Sequence, residues 1–234
     1  MFDWLTFAKG PALYFVLTLL VLGLLRHVLL VGWEMIAALR RAGDRRLPYG
    51  SILRETVDWL VPFRHVVHTR PLYGLASFTL HIGVLSAAVF LENHLDILKS
   101  ITGVAWPAVS RLLLDILTAL AIVAITYLLL YRCFAPHSRV LSRPGDYILL
   151  LLLLVIFVSG FLAGRSWNPI PYDKLMWLHV TVGMMLLAII PFTKISHCVL
   201  FPLIRLGSEI AWHLTPAGGS DVARSLYGPA GKTI

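Results

Sequence analysis

The sequence predicts an all-α, polytopic membrane bundle of five transmembrane helices, and three observations lead there. Hydrophobic residues make up 58% of the 234 and charged residues only 14%, where a soluble domain carries about 25% charged residues. Mean hydropathy is +0.81, and a chain of this size cannot hide so much apolar surface in a core. Five stretches reach the roughly 20 apolar residues that a span needs: 11–38, 72–95, 108–132, 146–164 and 175–203. The same figures exclude a disordered chain, a secreted disulfide scaffold and a DNA-binding domain. Cys133 and Cys198 stand far apart, in no C-x-x-C or C-x-x-C-H pattern, so neither a disulfide framework nor covalently attached haem c is expected.

The first stretch is not expected to be a cleaved signal peptide. Asp3 precedes Lys9, the apolar run is too long, and no small-residue cleavage site follows. An Arg-rich loop, 39–71, separates spans one and two; its ETVDWLVPF has the Val/Trp/Leu/Phe spacing of a short interfacial amphipathic helix. The Leu run 149–154 in span four is expected to face lipid. Residues 1–205 read as one membrane domain. Residues 206–234 form a polar, Gly/Pro-rich tail that either lies on a partner or is frayed.

The net charge of +8 is the cationic bias of cytoplasmic loops, not a nucleic-acid footprint. Arg40, Arg41, Arg45, Arg46, Arg54, Arg64 and Arg70 precede span two, Arg132, Arg139 and Arg143 precede span four, and Arg205, Arg224 and Lys232 follow span five. They outnumber Lys9, Lys99, Arg111, Arg165 and Lys174 on the other side. The expected topology has the N-terminus outside and the C-terminus in the cytoplasm, in a multi-pass protein of the cytoplasmic (inner) membrane.

Ionisable residues at membrane depth are costly and mark function. His27, His81, His94, His179 and His197 all fall within or at the ends of spans. His179 and His197 lie 18 residues apart. On one continuous helix that is five turns, with both rings on one face about 27 Å apart. One metal cannot use both, but two stacked cofactors can use one each. Span two runs outward with His81 near its middle and His94 at its outer end, so by depth His94 pairs with His179 and His81 with His197. Two histidines from facing helices suit bis-imidazole ligation of a b-type haem. A satisfied core histidine is the competing reading for any single one, and zinc is the weaker competitor, because no Cys or carboxylate accompanies them.

TLHIGVL, RPGDYILLLLLLVIFVSGF and WLHVTVGMMLLAIIPFTKISH together resemble the di-haem cytochrome b (gamma) subunit of membrane-bound respiratory nitrate reductases and its superfamily, over roughly 10–205. The resemblance rests most on H-I-G, on the His179–His197 interval and on Pro191, Phe192, Thr193 and His197. It implies that His179 and His197 each ligate one haem and that His81 serves the inner haem opposite His197. The nitrate reductase members carry the fourth ligand ten residues beyond the H-I-G histidine, where this chain has Leu91. His94 is the nearest replacement, but three residues turn a helix by about 300°. It therefore needs a distortion or helix end around 91–94, which Glu92 and Asn93 would mark. His27, on the inner side, is the other candidate, and a single-haem protein is the third possibility.

Arg111 matches a lysine that in the family lies near a quinone pocket. It can hydrogen-bond a quinone, pair with a haem propionate, or snorkel as an interfacial anchor. Arg165 and Trp167 serve propionates or the aromatic belt. His65, His68, His137 and His213 read as solvated or interfacial, with His68 also within possible reach of an inner propionate. Met184 and Met185 read as packing before ligation, and Gly83 and Gly183 as either macrocycle clearance or close helix packing.

The expected function is an electron-transfer subunit with two b-type haems, joining menaquinone or ubiquinone to an iron–sulfur protein and catalytic redox subunit on the cytoplasmic side, in either direction. With no Cys cluster or nucleotide motif, the chain carries no catalytic site for a soluble substrate. The rivals are a transporter or channel with a histidine proton relay, for which carboxylates are scarce (Glu34, Asp115 and Asp146 lie near span ends), and a haem-free membrane anchor.

Overall fold

The computed structural model describes residues 4–43, 47–60 and 70–214. They are almost wholly helical, with no strand among the described residues. Five helical segments are long and apolar enough to cross a membrane: Trp4–Ala42, Pro71–Phe90, Arg111–Phe134, Pro144–Ala163 and Tyr172–Phe192. Exposed Phe15, Leu112 and Val123, each well over half bare, form part of an apolar exterior that suits lipid and not water. The chain is a multi-pass membrane protein.

Span one opens with α1 (Trp4–Phe7), passes a π-turn at Ala8–Ala12 and continues as α2 (Leu13–Ala42). The bend falls at Gly10 and Pro11, where Gly10 leaves helical geometry (φ −107°, ψ −107°), as a Pro kink requires. After α3 (Tyr49–Leu60) come α4 (Pro71–Phe90), α5 (Glu92–Thr102) and α6 (Arg111–Phe134). Then follow α7 (Pro136–Leu141), α8 (Pro144–Ala163), α9 (Tyr172–Ile189) and α10 (His197–Leu214). Pro71, Pro136 and Pro144 each start a helix, where the missing N–H costs nothing. Ser110 caps α6 by accepting from the Leu113 N–H, and Gly103 (φ 72°) closes α5 in the left-handed conformation.

Two compact units divide the chain. The first takes Met1–Leu17 and Phe63–Ala188, the second Thr18–Pro62 and Ile189–Ile234. In the first unit α6 is central, packed between α4 and α8, with Leu80, Ala121, Ala124, Ile125, Leu128, Leu150 and Phe157 as its core. A Cβ on Gly83 would lie 2.5 Å from that of Ala121, so close helix packing accounts for this glycine. A Cβ on Gly183 would likewise lie 3.2 Å from the Ile156 Cδ1. Leu150, in the run expected to face lipid, is buried. Six consecutive helical residues sweep all round the axis, so part of the run must meet α6.

In the second unit α3 packs on α10, burying Ile52, Thr56, Leu200 and Ile210. The Arg205 guanidinium sits 4.1 Å over the Trp59 ring and pairs with Glu209. The amphipathic segment is thus helical through Leu60, with its buried face against protein; Val61–Phe63 lie outside the described residues. The helix α10 runs to Leu214 and so takes in the first residues of the segment 206–234. Residues 215–234, with Arg224 and Lys232, are outside the described residues, as are Arg45, Arg46, Arg64, His65 and His68.

Two helix breaks depart from the simplest reading of the spans. Span two ends at Phe90; Leu91 is extended (φ −74°, ψ 129°) and α5 starts at Glu92. Span five does not run on to 203. Its α-helix ends at Ile189, tightens into a 3₁₀ turn over Ile190–Phe192, extends at Thr193 (φ −126°, ψ 173°) and turns again at Lys194–Ser196. Pro191 is the physical reason, since it has no N–H to give and its ring clashes with the preceding turn. The five-turn alignment of His179 and His197 therefore does not hold: no continuous helix joins them, and they belong to different units.

Candidate functional site

The break at Leu91 places His94 in the first turn of a new helix. Its ring meets that of His179 from α9, centre to centre 6.1 Å, with the planes only 10° apart. Metal–imidazole bonds of about 2 Å on each side, plus about 1.2 Å from nitrogen to ring centre, would put two ring centres that share one ion about 6.4 Å apart. The observed separation lies close to that value, and the nearly parallel rings stand side by side as a stacked pair of imidazoles.

Each ring is held from behind. His94 Nδ1–H donates to the Ala87 carbonyl at 2.7 Å. Ala87 is among the last four residues of α4, whose carbonyls have no partner within the helix, so the break that frees the carbonyl also brings the imidazole to it. His179 Nδ1–H donates to the Ile156 carbonyl of α8 at 3.0 Å, with the Ser159 Oγ at 3.3 Å. A donor at Nδ1 leaves the lone pair on Nε2, the arrangement of a ligating histidine. Among the described residues nothing hydrogen-bonds either Nε2.

His81 and His197 carry the same kind of support. Their Nδ1–H groups donate to the Ser77 and Lys194 carbonyls, each at 2.6 Å. Both are exposed, and they sit in different units. His27 differs: its Nε2–H donates to the Pro191 carbonyl at 2.9 Å. That is the satisfied core histidine, and its Nε2 is spent. Outside the spans, His137 Nε2 pairs with the Tyr131 hydroxyl at 2.7 Å and His213 Nδ1–H donates to the Glu209 carbonyl.

Arg111 Nη2 donates to the Gly164 carbonyl at 2.8 Å, a cation closing the C-terminal end of α8. Gly164 lies one turn beyond Gly160, whose Cβ, if present, would meet the His179 ring. Arg165 pairs with Asp115 at 2.9 Å and lies over Phe161, while Trp167 is exposed. Asp146 is buried in a capping box, accepting from the Arg143 N–H at 2.9 Å. These two carboxylates thus have structural partners. Met185 is exposed. Among the described residues no three or more His, Cys, Asp or Glu converge on one point, so the donor set on offer is a pair of imidazoles. A pair suits a metal whose other ligands come from a macrocycle and falls short of the four that structural zinc takes.

Sequence reasoning passed over Ser159 and Gly160, which touch the His179 ring. Their contacts depend on how α8 approaches α9, and no spacing within the chain reports that.

No family model matches the chain, and no solved structure matches it. A protein of Nitratidesulfovibrio vulgaris (strain Hildenborough), described only by the word "Protein", is 32% identical over 214 residues, 88% of this chain and 92% of its own length. The chain belongs to the same family as that protein.

Proposed function

We propose that the chain is a membrane cytochrome b, the electron-transfer subunit of a respiratory oxidoreductase. The observation that carries this reading is the His94–His179 pair: nearly parallel ring planes, 6.1 Å between centres, and both Nδ1 atoms committed to carbonyls. His94 and His179 would hold a b-type haem, which would supply single-electron transfer there. The Ala87 and Ile156 carbonyls fix the tautomer and the ring planes. An inner haem on His81 and His197 is carried by the sequence resemblance.

The resemblance also supplies the partners: menaquinone or ubiquinone in the lipid, and an iron–sulfur or catalytic redox subunit at the cytoplasmic face. Arg111, one helical turn of α8 from the His179 neighbourhood, offers a cation for a quinone oxygen or a propionate. The Arg-rich loop and the C-terminus lie on the cytoplasmic side of the inner membrane by their excess of positive charge. A reporter fused after Ile234 then reads cytoplasmic and one before Met1 external.

The test is the visible absorption spectrum of the purified protein. Reduced b-type bands with two haems per chain support the reading, and a colourless protein overturns it.

A further inference from the structure

We propose that Ser159 and Gly160 of α8 are positioning residues for His179, setting the plane of its ring and the electron density on its Nε2. This rests on the proposed ligation of a haem by His94 and His179. Three consecutive features of α8 meet the ring. The Ile156 carbonyl accepts from His179 Nδ1–H at 3.0 Å and from the Ser159 hydroxyl at 3.1 Å. The Ser159 Oγ, its own proton given to Ile156, presents its lone pairs to Nδ1 at 3.3 Å. Gly160 supplies the clearance: a Cβ there would lie 2.7 Å from Cε1 and 3.0 Å from Nδ1.

Ser159 is 2% exposed, so its hydroxyl has no water to turn to. The Nδ1–H consequently lies between two oxygens instead of one. A donor shared in this way cannot rotate freely about the Cβ–Cγ bond without losing one acceptor. Hydrogen bonding at Nδ1 also makes the imidazole a more basic ligand, and a more basic ligand favours the oxidised iron. Gly160 acts by absence. Gly83 and Gly183 face Ala121 and Ile156, whereas Gly160 gives its clearance to an imidazole. Helix propensity opposes a glycine at this place in α8, which makes the clearance the reason it is there.

The test uses the full-length protein in detergent, carrying Ser159→Ala, Ser159→Thr or Gly160→Ala. The readouts are haem-to-protein ratio, the low-spin electron paramagnetic resonance signals and the midpoint potential of each haem. Ser159→Ala is expected to keep both haems, alter the outer haem's low-spin signal and raise its midpoint potential, with the inner haem unchanged. Ser159→Thr, which keeps the hydroxyl, restores the original signal. Gly160→Ala is expected to remove the outer signal and lower the ratio from two to one with helix content retained. Unchanged outer potential and signal in Ser159→Ala overturn the inference while leaving the haem reading intact. An unmodified protein without haem overturns both.

Discussion

Two helix breaks, at Leu91 in the first unit and at Thr193 in the second, do the same thing to the backbone and opposite things to a histidine. Each interrupts an apolar helix and leaves carbonyls that no continuing helix can pair. At Leu91 the Ala87 carbonyl is taken by Nδ1 of His94, and Nε2 makes no hydrogen bond among the described residues. At Thr193 the Pro191 carbonyl is taken by Nε2 of His27. The difference teaches that an intramembrane histidine is assigned by which nitrogen the backbone consumes, not by its depth. His94 becomes a ligand candidate and His27 a structural strut.

The contrast breaks most completely at the imidazole that faces His94. His179→Ala is expected to take the outer haem away altogether, halving the haem-to-protein ratio, while helix content measured by circular dichroism stays the same. A smaller effect is expected at the other break. Gly23 lies against Pro191, and a Cβ there would come within 2.6 Å of the proline Cβ. Gly23→Ala therefore overpacks a rigid ring and is expected to cost about 1–3 kcal/mol, read as a lower unfolding temperature with both haems retained. His27→Ala, which strands the Pro191 carbonyl, sharpens the same point at about 1 kcal/mol, the scale of a hydrogen bond between membrane helices. Smallest is Asp115→Asn, which weakens a partly exposed pair with Arg165; a loss of less than about 1 kcal/mol is expected, with no change in the spectrum.

Five spans were legible because hydropathy over 20 residues is a local property that lipid reads directly. The break at Leu91 was legible only indirectly. Leu91 itself is an ordinary apolar residue, and the requirement came from turning His94 by three positions to face His179. The break at Thr193 had a local sign in Pro191, yet the apolar run through 175–203 hid it. A proline inside a hydrophobic stretch permits a kink, a continued helix or a stop, and α10 itself contains Pro202 without stopping. The nitrogen that His27 spends, the bond from Arg111 to Gly164 and the clearance at Gly160 depend on how one helix approaches another. None of these leaves a pattern along the chain.

The central claim is that His94 and His179 face each other across one iron. The measurement that tests it most directly is the haem-to-protein ratio, with the low-spin signal, of His94→Ala beside His27→Ala. The account predicts one haem and no outer low-spin signal in the first, and two haems with both signals in the second. Two haems in His94→Ala, with the outer signal unchanged, would contradict it.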